Sequence, residues 1–448
     1  MSEFIDADKK RLYRKVAWRL IPFLLACYTI AIIDRFNISF AKLQFLHDLR
    51  MNDEVFGWAA GIFSVGYVAL EVPSNLLLDR IGVRRTLLRI MVLWGLVTAL
   101  LMFARNEYHL YILRFLLGAA EGGLFPGVLF YLTFWFPDRL RGRMTSLFVM
   151  AVPFAGIIAG PVSGLIMDGM QDVGGLHGWQ WLFLIEGLPA VALGVMAFFW
   201  LPDRPSDAQW LTAAEAKVIQ RDLCHDQQRA GHGTSFATAL RDRKVYLLAF
   251  TYFSFFCSLN TILLWAPSLL RQVGVATTTN IGWLSGGISV ISALGMLVVG
   301  YNSDRTRERH WHVALCGFVA AACFILLPLA AGNVAMTVAA LTIASIGIFS
   351  ILSLFWTIPS AYLEGSAAAG GIALISAIGS FGGAMCPAFV GWLTVKTGSL
   401  YGAIAAVGVL HAVGMIALLI WAPRGVGGEE ASSTAYLEQP VSRVRSSH

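Results

Sequence analysis

The sequence predicts an all-α membrane protein, with twelve transmembrane helices in two pseudo-symmetric six-helix bundles. Three observations carry that expectation. Of 448 residues, 57% are hydrophobic and only 13% charged, at a mean hydropathy of +0.67, whereas a soluble chain holds about 25% charged residues. Apolar runs of about 20 residues, each long enough to cross a ~30 Å hydrocarbon core, recur twelve times between polar or Gly/Pro punctuation. An Asp/Arg pattern after the second run returns after the eighth, 225 residues later, which is the mark of an internal duplication.

In order, the expected spans are 17–40, 55–78, 86–104, 108–136, 144–168, 180–201, 244–270, 279–302, 311–331, 335–362, 367–395 and 400–422. Residues 1–16 form a basic amino end without the small-residue cleavage site of a signal peptide, so the first span is retained. The amino-terminal bundle covers 17–201, a linker 202–243, and the carboxy-terminal bundle 244–422. Within the linker, Thr212 and Glu215 have capping-box spacing ahead of a short amphipathic helix. The tail 423–448 is polar and expected to be disordered.

Of the 33 Lys and Arg, five (Lys42, Arg50, Arg105, Arg271 and Lys396) fall on one face, two (Arg35 and Arg114) lie inside spans, and the remaining 26 share the face of both termini. That bias places both termini in the cytoplasm and accounts for the net charge of +6 without nucleic acid. The six cysteines show no metal or disulfide-framework spacing and read as packing residues.

The fourth run, YHLYILRFLLGAAEGGLFPGVLFYLTFWF, carries Arg114 and Glu121 in its middle, and the first carries Asp34 and Arg35. A charge near the bilayer centre costs about 2.5–3.5 kcal/mol on insertion scales, so these four must face protein or water. Seven residues are close to two turns, which puts Arg114 and Glu121 on one helix face, about 10 Å apart. At offset 225 their counterparts are neutral: Leu259, Asn260, Ala339 and Ile346. Charge recognition therefore belongs to the amino half. The competing reading is a static buried ion-pair network, which is costly and rarely stabilising for its own sake.

The repeated loop runs Asn75-x-x-x-Asp79-Arg80-x-Gly82-x-Arg84-Arg85 and Gly300-x-x-x-Asp304-Arg305-x-x-x-Arg309. Together with Asp34-Arg35-x-Asn37-Ile38-Ser39-Phe40-Ala41, Arg114-x-x-x-Gly118-x-x-Glu121-Gly122-Gly123-x-x-Pro126-Gly127, Gly178-Trp179-Gln180-Trp181 and Glu186-Gly187-Leu188-Pro189, it resembles the major facilitator superfamily. Within it, the sequence is similar to the anion:cation symporter branch, whose bacterial members import tartrate, phthalate, 4-hydroxyphenylacetate, nicotinate and sugar acids. Asn75 stands where Gly is usual in the superfamily, a substitution typical of this branch.

The resemblance implies that Asn75, Asp79, Arg80, Gly82, Arg84, Asp304, Arg305 and Arg309 gate the cytoplasmic face through charge locks, and that Arg35 grips a substrate carboxylate, a fork for which guanidinium is suited. Arg114, Tyr67 and Ser380 are further candidate substrate contacts, Ser380 standing where relatives often carry Asn. Since neighbouring helical residues point about 100° apart, Asp34 turns elsewhere, Arg114 being a candidate partner. Carboxyls matching Asp34 and Glu121 are tied to proton coupling in the branch. Burial opposes the charged form of Glu121 while a nearby arginine favours it, which suits a proton carrier. Glu71 and Glu186, near span ends, read as structural. Gly156-x-x-x-Gly160 reads as helix packing. Tyr28, Phe36, Trp265, Phe355 and Trp356 are candidate cavity aromatics.

The expectation is an inner-membrane importer of a tartrate-like or aromatic carboxylate, working by alternating access as a monomer, with protons as coupling ion and no other cofactor or metal. Exchange or uniport of the same anions is the alternative. The paired acids or His-Glu-x-x-His of membrane enzymes do not occur, so no enzyme activity is expected.

Overall fold

Charged residues cluster between apolar stretches of about 20 residues, and a segment of that length that must satisfy its own backbone hydrogen bonds in lipid does so as a helix. The structure, a computed structural model, describes residues 2–229, 242–306, 308–362 and 365–421. Its spanning helices are α1 (Asp8–Asp48), α2 (Asp53–Leu78), α3 (Val83–Phe103), α4 (Glu107–Thr133), α5 (Asp138–Gly169), α6 (Gly178–Trp200), α7 (Arg243–Gln272), α8 (Thr278–Thr306), α9 (His310–Ala330), α10 (Val334–Ser360), α11 (Gly370–Thr397) and α12 (Leu400–Ile420). The twelve form two six-helix bundles, and the chain is a multi-pass membrane protein. No strand occurs among the described residues.

The fourth, fifth and tenth expected spans are interrupted. The fourth runs as helix over Glu107–Glu121, breaks, and resumes over Leu124–Thr133. Gly123 has φ 97°, a left-handed conformation that glycine adopts without strain, so the Gly122-Gly123 pair ends a helix on Glu121 in mid-span. Irregular backbone at membrane depth is tolerated where protein or water surrounds it.

With an even number of spans, both ends of the helical array lie on one face, here called the terminal face. The bundles meet at the other. A methyl group on Gly160 of α5 would sit 2.5 Å from the carbonyl oxygen of Gly282 in α8, and one on Gly282 would sit 2.2 Å from that of Gly160. The Gly156-x-x-x-Gly160 spacing is thus a seam between bundles. Closer to the far face, Thr279 donates its backbone N–H to Asp168 at 2.7 Å and its hydroxyl to the Gly164 carbonyl at 3.2 Å. The α2–α11 seam is equally tight, with Gly391 of α11 against the Asp53 carbonyl.

The linker helix, Ala213–Arg229, starts with the capping box its sequence implies: the Glu215 carboxylate accepts from the Thr212 N–H at 2.8 Å while the Thr212 hydroxyl accepts from the Glu215 N–H at 3.2 Å. It docks on the amino half. Asp222 accepts from Lys9 at 2.7 Å and from the Tyr13 hydroxyl at 2.9 Å, and Glu215 pairs with Lys15 at 2.9 Å. Trp210 stacks on Trp135, and Ile219 is fully buried. The tail 423–448 lies outside the described residues.

Candidate functional site

Asp34 and Arg35 part company, as their 100° separation on α1 requires. Arg35 reaches α4, where its Nε and Nη2 converge on Glu121 Oε1 at 2.8 and 2.7 Å. Its guanidinium also lies over the Tyr67 and Phe63 rings of α2, 4.9 and 5.5 Å from their centroids. Asp34 turns into the amino bundle, accepting from the Asn37 amide at 2.6 Å, the Thr98 hydroxyl at 2.5 Å and the Trp94 indole N–H.

Arg114 does not pair with Asp34, whose oxygens are already taken by those three donors. Instead its Nε faces the Ala59 carbonyl at 3.4 Å, its guanidinium lies 4.7 Å from the Phe63 ring centroid, and its Nη1 is buried without a partner. Three of the four charged groups are therefore closed in. Asp34, Arg114 and Glu121 are each 2% exposed, whereas the Arg35 side chain is 33% exposed. Of the cluster, Arg35 is the member an incoming solute can touch, and Glu121 is reached through it.

One turn beyond Arg35 on α1, a cleft opens between the bundles. Its lining includes Phe36, Ser39, Ser285, Ser289, Ser345 and Phe349, and none of its lining residues is ionisable. The four charged residues do not line it. The carboxy half contributes neutral groups throughout. Asn260, the counterpart of Arg35, turns its amide to the Phe256 carbonyl at 3.0 Å, and Ile346, the counterpart of Glu121, packs on Gly295.

Ser380 is half-buried on α11, between Gly379 against Tyr252 and Gly383 against Asn260. Among the candidate aromatics, Phe36 lines the cleft, Tyr28 stacks on Phe148, and Phe355 and Trp356 surround Tyr252.

The repeated loops are tied down differently in the two halves. Gly82 takes φ 85° between α2 and α3, and a methyl group there would meet the Asp203 carboxylate. That carboxylate accepts from the Arg84 N–H at 3.0 Å, while Arg84 Nε donates to the Phe198 carbonyl at the end of α6, at 2.8 Å. Asn75 donates to the Glu71 carbonyl at 2.8 Å. Arg80 is exposed, and the Asp79 side chain lies outside those described. In the second copy Arg309 pairs with Asp304 and donates to Ser303 at 3.0 Å, with Arg305 exposed.

The sequence reading missed Lys42. It is not an outer-face charge in water but a side chain 3% exposed, 2.8 Å from Asp53 and 3.6 Å from the centroid of Trp265 across the bundle interface. Trp265, fully buried, also meets Phe56 edge-on. The signal was available: Lys42 stands seven residues after Arg35, on the same face of α1. Trp94 and Thr98, the donors to Asp34, carry no comparable mark.

The Major Facilitator Superfamily profile matches residues 24–373. Among relatives, the metabolite transport protein NicT of Pseudomonas putida is 42% identical over 401 residues, covering 89% of this chain and 92% of its own. A protein of Agrobacterium vitis named as a tartrate transporter is 42% identical over 417 residues, covering 92% and 91%. The partially occluded inward open structure of the xylose transporter XylE from Escherichia coli superimposes with a TM-score of 0.71 at 15% identity, over 92% of this chain and 99% of that one. Similarity at that identity establishes the fold.

Proposed function

The chain belongs to the Major Facilitator Superfamily and is a transporter of that fold, and we propose that it imports a small organic carboxylate together with protons. The observation that carries this reading is the Arg35–Glu121 pair, 2.7 Å apart, with its arginine partly exposed and its carboxylate buried. An arginine already satisfied by a carboxylate has little to offer a second one. Protonating Glu121 removes the competing charge and frees the guanidinium fork for the substrate's carboxylate. Deprotonation after release restores the pair. Proton and anion then bind together or not at all.

Charge accounting supports the same scheme. Moving an anion against a negative-inside potential costs about 2.3 kcal/mol per charge per 100 mV. Two protons with a monoanion, or three with a dianion, make uptake electrogenic and favourable. In this reading both termini are cytoplasmic, the far face is periplasmic, and the structure is sealed outward by the glycine seams and by Lys42 against Trp265. Rocking of the bundles about Arg35 supplies alternating access. A relative named for tartrate supports a hydroxylated dicarboxylate, and the seryl hydroxyls and phenyl rings of the neutral cleft are suited to either a hydroxylated or an aromatic acid.

Uptake by purified protein in proteoliposomes, with tartrate, phthalate, 4-hydroxyphenylacetate, nicotinate and aldonates offered in turn, tests the proposal. Accumulation should follow an imposed inward proton gradient. Equal uptake with and without the gradient would make the protein an exchanger or uniporter of these anions.

A further inference from the structure

Behind the Arg35–Glu121 pair lies a second carboxyl that neither substrate nor solvent touches. Glu186 of α6 is 5% exposed, in the interior of the amino bundle. Its Oε1 accepts from the Ser163 hydroxyl of α5 at 2.8 Å, and its Oε2 has no partner. The Asn37 side chain stands beside this carboxyl, and its Oδ1 is likewise buried without a partner. The Asn37 amide donates one N–H to Asp34 at 2.6 Å. The close approach of α6 to α3 forces this crowding: a methyl group on Gly187 would lie 2.6 Å from the Gly95 carbonyl oxygen and 3.3 Å from Thr98 Cβ.

Glu186 is thus a carboxyl held away from water with one donor, Ser163, and no cation among its described hydrogen-bond and ion-pair partners. We infer that Glu186 is a second proton-binding site, holding its proton on Oε2 while Ser163 donates to Oε1, with Asn37 standing between it and the Asp34 carboxylate. Asp34 needs none while it accepts from Asn37, Thr98 and Trp94. The charged group acting on Glu186 is Asp34 of α1, and on Asp34 they are Glu121 and Arg114 of α4. The groups facing the network from α3 and α5, namely Trp94, Thr98 and Ser163, are neutral.

Ser163 ties this site to the bundle interface. It precedes Gly164, whose carbonyl accepts from Thr279 across the seam. Opening that seam moves α5 and the hydroxyl that holds Oε1, so the hold on the Glu186 proton follows the conformational cycle. This last step rests on the proton-symport reading; the location of the proton does not.

Infrared difference spectroscopy of the purified protein at neutral pH reads the proton directly. Wild type minus Glu186→Gln should show the carbonyl stretch of one protonated carboxylic acid, and no such band would overturn the assignment. Ser163→Ala leaves Glu186 in place and removes a hydrogen bond from its carbonyl oxygen, so the same band should move to higher frequency. An unmoved band would equally count against it, and this variant stands if Glu186→Gln does not fold. In proteoliposomes, Glu186→Gln should lower proton-driven accumulation at least about fivefold and shift its pH profile, with substrate counterflow retained. A wild-type pH profile in that variant would make Glu186 a static proton and sink the link to transport. A wild type indifferent to the proton gradient would instead remove the symport reading and leave the infrared result standing.

Discussion

The two bundles are built on one plan and do different work. At the level of Arg35 the amino half presents a guanidinium clamped by a buried carboxylate, with Asp34 behind it in a cage of three donors. At the same level the carboxy half presents Asn260, its amide turned to its own helix. Even the deep position differs. Glu186 has His411 as its counterpart at offset 225, fully buried, with Nδ1 3.3 Å from the Ser254 carbonyl and Nε2 without a partner. A duplicated scaffold thus sets a charged face against a neutral one: at this level the amino half carries Arg35, Glu121 and Asp34, and the carboxy half offers rings and hydroxyls. On the proposed reading, substrates differing in their neutral part should be told apart mainly by the carboxy half.

The sharpest way to break this contrast is at Arg35. Replacing it with alanine removes the partly exposed cation and leaves Glu121 buried without its partner. Truncating one side of such a pair costs about 2–5 kcal/mol, so uptake should fall at least about 30-fold with the protein still present in the membrane. Comparable transport by Arg35→Ala would take the anion site elsewhere. Arg35→Lys should recover little, since an ammonium cannot reproduce the fork that meets Glu121 through two nitrogens.

Glu121→Gln tests the other member. The amide cannot bind and release a proton, while its carbonyl oxygen still faces Arg35. Substrate binding and counterflow should survive. Accumulation driven by a pH gradient should drop by about tenfold per pH unit for the coupled proton lost, because one unit is worth ~1.4 kcal/mol per proton. If accumulation persists, Glu121 is an anchor for Arg35 and not a carrier.

On the carboxy side the effect should be smaller and of another kind. Asn260→Ala removes a neutral hydrogen-bonding group worth about 0.5–1 kcal/mol, hence a roughly two- to fivefold rise in KM, without loss of proton coupling. A variant at Asn260 that uncoupled transport would erase the distinction between the bundles. The same assay run with a hydroxylated and an aromatic acid should show the ratio between them moving with Asn260 and not with Arg35.

Much of this was legible before any coordinates, for reasons that differ by residue. The twelve spans follow from hydropathy because lipid leaves the backbone no alternative to helix. Arg35, Arg114, Asp34 and Glu121 stand out because charge in an apolar run is expensive enough to need a reason. Their pairing was not legible. Arg114 and Glu121 share a face of α4, yet Glu121 is held from α1 and Arg114 lies against Phe63 of α2, since partners across helices depend on rotation and depth. The break after Glu121 is written in Gly122-Gly123, although glycine pairs also occur in unbroken spans. Glu186 was passed over as a span-end acid because its meaning lies in Asn37 and Ser163, one on each of two other helices.

The linker extends the asymmetry to the terminal face and supplies the mildest test. Its helix is fastened to the amino half alone among the contacts described, through Asp222 to Lys9 and Tyr13 and through Glu215 to Lys15. The backbone N–H of Thr212, then the Lys15 ammonium, hold the Glu215 carboxyl below its ordinary value of 4.5. A folded-state value below the unfolded one means that Glu215 contributes its stabilisation above the unfolded value, and that the contribution is lost as pH falls below about 4.5 and through the folded value. Because the pair is largely solvated, the contribution is small. Hydrogen exchange in the segment 213–223 should therefore be modestly faster in Glu215→Gln than in wild type at pH 7, and the difference should close as pH falls below about 4.5 and the wild-type carboxyl takes up its proton. Lys15→Met should reproduce part of the effect at pH 7 and leave the capping contact with Thr212 intact. A linker that exchanged at the same rate in all three proteins would owe its docking to Trp210 and Ile219 instead of to charge.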